Sequence, residues 1–297
     1  MRYRFVLCDV FTKEAFKGNQ LAVLPEAEGL SQEQMQRIAK EFNFSETSFV
    51  YQPEGKNTNK VRIFTPNEEV PFAGHPSLGA AFVLYQNGYL GNTGVPTQIV
   101  FEENAGLVEI SIEEKIHNNL LLELQAPTPL VIGAEFNAKM ISKALNLPIE
   151  AINTRNHPPQ VVSVGLPFLM VELDNIDYLQ QLSPNMEGFL ALQAKGISMI
   201  HIYFHSKDEF DIRTRMFALL EGIVEDPATG SANCALAGLL STLDKNADGD
   251  YSWKIAQGVE MGRASELRAR AAKQNGDLTG TWIGGNCVQI AEGWISL

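Results

Sequence analysis

Hydrophobic and polar residues alternate along much of this chain in short runs, broken at intervals by turn residues. Tyr3 to Phe11 and Gln20 to Leu24 carry the two-residue period of strands, joined through the polar Lys17-Gly18-Asn19 turn. The period then changes. Met35, Ile38, Ala39 and Phe42 fall on one helical face, and Ser31 with Gln34 three residues on forms a capping-box start for that helix. Strands are predicted over Thr47 to Gln52 and Lys60 to Thr65, then over Thr97 to Phe101, Gly106 to Ile112 and Asn119 to Leu124. The Pro-bearing stretch Gln125 to Pro129 reads as a link, after which the order recurs. A helix is expected over Phe136 to Leu145, strands near Gln160 to Val164 and Phe168 to Leu173, and helical turns over Asn175 to Ala194. Ile197 to Phe204, Phe210 to Phe217, and segments around Ile255, Leu267, Leu278 to Ile283 and Val288 to Ile290 complete the strands. The pattern predicts an α+β protein of two similar domains, residues 1–128 and 129–297, with the last strand able to return to the first domain.

Two helices depart from the amphipathic rule. One runs from about Pro76 to Gln86 and the other starts near Thr229, and both are apolar and rich in small residues nearly all round. Such a helix is buried on every side, so each half reads as an antiparallel sheet wrapped around a central helix. The first turn of a helix also has backbone N–H groups without intrahelical partners, which suit an anion. Two such starts, Ala73-Gly74-His75-Pro76 and Ala228-Thr229-Gly230-Ser231, point to a small carboxylate ligand held in a cleft between the halves.

Composition narrows the partners. Hydrophobic residues make up 45% and charged residues 20%, as in a globular protein. The net charge of −12, without a basic cluster to offset it, argues against nucleic acid. The apolar runs are too short to span a membrane. Cys8, Cys234 and Cys287 are an odd number without C-x-x-C spacing, which predicts reduced thiols, no zinc site and a cytoplasmic protein.

Several residues have the chemistry of a proton-transfer site. Glu46, between a helix end and a strand start and flanked by Phe44 and Phe49, is either a partly desolvated acid/base or a solvated cap. His75 precedes Pro76 at the helix start, where it serves a ligand or simply holds the turn. Asp226 before Pro227 is a helix cap or a second carboxylate. Gly230 and Ser231 offer backbone N–H groups, and Thr229 and Ser231 offer hydroxyls. His201 and His205 share a strand face with nothing nearby to complete a metal site, which favours a structural role. Neither G-x-x-x-x-G-K-[ST] nor G-x-G-x-x-G occurs, so no nucleotide cofactor is called for.

Asp9-Val10-Phe11-Thr12, Phe16 to Val23, Ser45 to Val50, Arg62 to Pro66, Pro71 to Pro76 and Glu225 to Ala232 together resemble the PhzF-like isomerases of phenazine biosynthesis. The resemblance covers essentially the whole chain and implies the diaminopimelate-epimerase-like fold, with two barrel-like domains, and a homodimer. It further implies that Glu46 is the acid/base that moves a proton between carbons of a small cyclic carboxylate. The resemblance implies that His75, Asp226 and Ser231 line the site, that Arg215 supports it, and that neither metal nor organic cofactor takes part; with Glu46, His75 and Asp226 as the catalytic candidates, Asn19, Gly74, Thr229, Gly230 and Ser231 are the candidate substrate-binding residues. Arg215-Met216-Phe217 departs from the family pattern, with Ala218 where proline is common. Diaminopimelate epimerases, similar in fold, use a cysteine at each central helix start; the matching positions here are Ala73 and Ala228. A two-thiol racemase is thereby disfavoured. The alternatives to a proton-shifting isomerase are an epimerase using two carboxylates, such as Glu46 and Asp226, or a non-catalytic binding member of the fold.

Overall fold

The computed structural model describes residues 1–91, 97–115 and 119–297. His117 lies outside them. The chain divides into two compact units, one formed by Met1–Pro127 with Ile283–Leu297 and the other by Thr128–Trp282.

The first unit contains β1 (Arg2–Val10), β2 (Asn19–Leu24), α1 (Gln32–Phe42), β3 (Glu46–Tyr51), β4 (Asn59–Phe64), β5 (Glu69–Val70), α2 (Gly74–Gln86), β6 (Thr97–Glu103), β7 (Gly106–Lys115) and β8 (Asn119–Gln125). The second contains β9 (Val131–Glu135), α3 (Ala138–Ala144), β10 (Gln160–Ser163), β11 (Pro167–Glu172), α4 (Ile176–Gln181), α5 (Met186–Gln193), β12 (Ile200–His205), β13 (Ile212–Ala218), β14 (Ile223–Asp226), α6 (Gly230–Leu243), β15 (Gly249–Gln257) and β16 (Ser265–Gln274). The chain passes back along β17 (Asp277–Gly285), and β18 (Cys287–Ser296) lies antiparallel to β1 in the first unit.

Strand pairing repeats step for step. In the first unit β1–β2, β3–β4, β4–β5 and β6–β7 are antiparallel, while β2–β3 and β4–β6 are parallel. In the second unit β10–β11, β12–β13, β13–β14 and β15–β16 are antiparallel, while β11–β12 and β13–β15 are parallel. The α+β architecture is the expected one, but each sheet is mixed. A parallel pair needs a long crossover, and in every case a helix supplies it: α1 after β2, α2 before β6, α4 and α5 after β11, α6 before β15.

α1 starts as its sequence predicts. Gln34 N–H donates to Ser31 Oγ at 3.2 Å and Ser31 N–H to Gln34 Oε1 at 2.9 Å, and Asn43 ends the helix in the left-handed region at φ 54°. Its Met35, Ile38 and Ala39 pack with Tyr3, Leu24, Phe49 and Phe64. α2 is buried from Gly74 to Leu84. Burial of Leu78, Phe82, Val83 and Leu84 stabilises it by about 1.5–3 kcal/mol for each side chain. The approach of α2 to the sheet depends on Gly79, where a Cβ would stand 2.4 Å from Leu21 Cδ2 and 2.9 Å from Val10 Cγ2. α6 is its counterpart, buried from Gly230 to Leu239. Two segments depart from the expected pattern. The helix expected over Phe136 to Leu145 is shorter, and the exposed strand β9 precedes it.

Candidate active site

Glu46 opens β3, and the parallel pairing with β2 sets it opposite Leu21. His75 is the second residue of α2, where Pro76 supplies a backbone already suited to the first helical turn. The two meet: His75 Nε2 lies 3.5 Å from Glu46 Oε2, with side chains 5% and 17% exposed. Asn19, at the start of β2 and buried, places its Nδ2 3.5 Å from His75 Nδ1. Burial lowers the His75 pKa to about 3, against a smaller opposing contribution from a hydrogen bond with the Gln20 backbone. The imidazole is therefore neutral at physiological pH, and Glu46 faces a polarisable ring with no fixed positive charge. No side chain caps α2, whose N-cap is Ala73. Because Pro76 has no N–H and Ser77 N–H reaches Ala73 O at 3.4 Å, the amides of Gly74 and His75 are left without intrahelical partners. A carboxylate base beside amides that can stabilise negative charge is the arrangement general-base chemistry requires.

Glu103 has no place in the sequence reading, yet it stands beside the same helix turn. Ser77 Oγ lies 2.6 Å from Glu103 Oε1 and 2.8 Å from Ala73 O. Glu103 is only 8% exposed, its Oε2 has no hydrogen-bond partner, and burial raises its pKa to about 8. The signal for it was available: Ile99, Phe101 and Glu103 point inward together along β6.

In the second unit Asp226 ends β14, and Thr229, Gly230 and Ser231 form the start of α6, all buried. Thr229 Oγ1 donates to Asp226 Oδ2 at 2.5 Å. A second residue outside the sequence reading, Gln257 at the end of β15, holds this turn. Its Nε2 donates to Asp226 O at 2.8 Å and to Thr229 Oγ1 at 2.9 Å, while its Oε1 accepts from Thr229 N–H at 3.1 Å. The following Gly258 has φ +71°, and a Cβ there would stand 2.6 Å from Pro227 O, so this crossing of β15 under the turn requires glycine. Asn233, one turn into α6, donates to Thr229 O at 2.9 Å and Gln257 Oε1 at 2.8 Å.

His201 is fully buried on β12, with Nε2 3.2 Å from Asn233 Oδ1, and burial lowers its pKa to about 3. Arg215 is bound to its own surroundings. Nε and Nη2 each donate to Glu225 at 2.8 Å, and Nη1 donates to Leu179 O at 2.9 Å. The guanidinium fastens the end of α4 to β13 and β14.

The thiols lie elsewhere. Cys234 is inside α6 with Sγ 3.3 Å from Thr281 Oγ1, and Cys8 and Cys287 are in β1 and β18. Burial raises the Cys8 thiol pKa and pushes that of Cys287 up to about 12. Among the described residues no group of three or more His, Cys, Asp or Glu side chains is arranged to hold a metal. No described helix is long and apolar enough to cross a membrane.

Comparison with known proteins shows the family of the chain. Residues 8–293 match the family model for phenazine biosynthesis-like proteins. The chain is 35% identical over 300 residues to an uncharacterized isomerase of Mesorhizobium japonicum, covering 97% of each chain. It is 32% identical to the trans-2,3-dihydro-3-hydroxyanthranilate isomerase of Pseudomonas aeruginosa, covering 98% of each. A crystal structure of a PhzF-family phenazine biosynthesis protein from Bacillus anthracis superposes with a TM-score of 0.89 at 24% identity, covering all of both chains. The chain belongs to the PhzC-PhzF family of phenazine biosynthesis-like proteins, and it is an isomerase.

Proposed function

We propose that this isomerase moves a proton between carbons of a small carboxylate substrate without a cofactor, using Glu46 as the acid/base. The observation that carries this reading is the Glu46–His75 pair at the uncapped start of α2. Glu46 takes the carbon-bound proton and returns it to another carbon of the same conjugated system. His75, neutral, hydrogen-bonds the substrate or its developing negative charge, and Asp226 serves as the second polar group of the reaction. In the first unit Asn19 and the Gly74 amide serve the substrate carboxylate; in the second the Gly230 and Ser231 amides and the Ser231 hydroxyl offer the same chemistry, while Thr229 gives its hydroxyl hydrogen to Asp226 and Arg215 holds the neighbouring β14 through Glu225. The same reading places the enzyme in the cytoplasm, which suits its odd number of cysteines, and makes it a homodimer, a point sedimentation equilibrium would check.

The test uses trans-2,3-dihydro-3-hydroxyanthranilate, the compound named for the Pseudomonas aeruginosa relative, and related cyclic carboxylates in deuterated buffer. Wild-type protein is expected to alter the proton position and to exchange solvent deuterium into carbon. Glu46→Gln keeps the size of the side chain and removes the transferable proton, so turnover should fall at least ~100-fold while binding is retained. A folded Glu46→Gln variant with undiminished turnover would overturn the assignment.

A further inference from the structure

The hydrogen bonds beneath the start of α6 fix both side-chain amides and, with Asp226 ionised, every proton between them. The Gln257 amide cannot be flipped, because the Thr229 N–H must meet its oxygen and the Asp226 carbonyl must meet its nitrogen. Asn233 is fixed in the same way: its nitrogen meets the Thr229 carbonyl and uses its other hydrogen on Gln257 Oε1. Asn233 Oδ1 is thereby turned to His201 Nε2, and only a protonated Nε2 can meet it. At the other end, Gln257 Nε2 gives its second hydrogen to Thr229 Oγ1. That hydroxyl, already accepting, has one hydrogen to place, and Asp226 Oδ2 is 2.5 Å away. Read in order, the chain runs from His201 through Asn233, Gln257 and Thr229 and ends on the carboxyl of Asp226.

We propose that Gln257 is a positioning residue that, by donating to Thr229, compels the hydroxyl to donate to Asp226 and so holds that side chain as a proton-accepting carboxylate. Gln257 donates to the Asp226 backbone carbonyl and to Thr229 Oγ1, and its effect on the carboxyl passes through Thr229. Arg215 on β13 is held by Glu225 on β14, Glu260 and Arg263 lie in the turn after β15, Glu266 on β16 turns to Lys254 and Arg268, and His201 is neutral. A hydroxyl donated to the carboxylate favours its ionised form.

The experiment follows the Asp226 carboxyl by carbon-13 NMR in protein labelled at the aspartate side-chain carboxyl, with Asp226→Asn identifying the resonance. Thr229→Val, nearly isosteric, should raise the Asp226 titration midpoint by about one pH unit. Thr229→Ser, which keeps the hydroxyl, should restore it. Gln257→Met should raise it as well, since the hydroxyl is then free to turn. A Gln257→Met midpoint equal to wild type, beside a raised Thr229→Val midpoint, would show that the hydroxyl needs no direction from Gln257 and would overturn the proposal. The link to turnover rests on Asp226 being part of the reaction. If Thr229→Val moves the midpoint and leaves kcat and KM unchanged, the proton order stands and it is Asp226 that leaves the mechanism.

Discussion

His201 should make the second unit acid-sensitive by an amount that its burial determines. In the unfolded chain this histidine titrates near pH 6.5, whereas in the folded unit burial holds it near pH 3 with Asn233 as its partner. Between those values the unfolded state binds the extra proton, so stability is complete above about pH 6.5 and is lost as pH falls towards 3. Lowering pH from 7.5 to 5 should cost about 2 kcal/mol from this one residue. That is a large share of the roughly 5–15 kcal/mol that holds a domain folded. His201→Gln fills a similar volume, keeps an N–H for Asn233 and cannot titrate. The assay is urea unfolding at a series of pH values in a Trp294→Phe background, so that fluorescence comes from Trp253 and Trp282, both in the second unit. Other titrating groups are common to both proteins and cancel in the difference. The stability difference between wild type and variant should move by about 2 kcal/mol against the wild type over this range. If the two fall in parallel, His201 titrates normally in the folded protein and the reasoning from burial fails.

Glu103 should act with the opposite sign in the first unit. Its folded pKa of about 8 lies above the ordinary value of 4.5, so the native state keeps a proton that the unfolded chain has lost, and stability falls as pH rises from about 4.5 to 8. Glu103→Gln should remove most of that decline, as much as about 4 kcal/mol, in thermal unfolding measured at both ends of the range; an unchanged slope would place the titration elsewhere. Gly79→Ala should destabilise the first unit by about 1–3 kcal/mol despite alanine's better helix propensity, because the added methyl meets buried Leu21 and Val10. Chemical denaturation of that variant would show it, and a stabilised protein would mean that α2 can back away from the sheet.

Much of this was legible in the sequence because it is local. The capping box of α1 needs only Ser31 and Gln34, and burial of α2 and α6 follows from an absence of Asp, Glu, Lys and Arg on any face. Strand direction was not legible, since alternation is the same whichever way a strand runs, and the parallel pairs depend on where the crossover helices deliver the chain. β9 escaped because its residues are exposed and carry no buried face to reveal. At the candidate site, Glu46, His75 and Asp226 stand out through the turns around them. Gln257 does not, for a glutamine ending a strand resembles any solvent-facing polar residue until the fold brings it under Thr229. Glu103 follows the acidic Glu102, and the pair looks solvated until β6 turns only one of them inward.

The return of the chain to the first unit bears on how the protein is made. β1 leaves the ribosome before the whole of the second unit, and its partner β18 leaves after it. While the whole second unit is being synthesised, β1 has β2 on one side and an open row of backbone groups on the other. The second unit, contiguous from Thr128 to Trp282, can form as soon as it emerges, whereas the first must wait for its final strand. A ribosome that stalls between Trp282 and β18 therefore releases a protein with one unit complete and the other carrying an unpaired edge. Such chains are candidates for aggregation or for chaperone capture, and pulling the nascent chain at successive lengths would show the first unit closing only when β18 has cleared the exit tunnel.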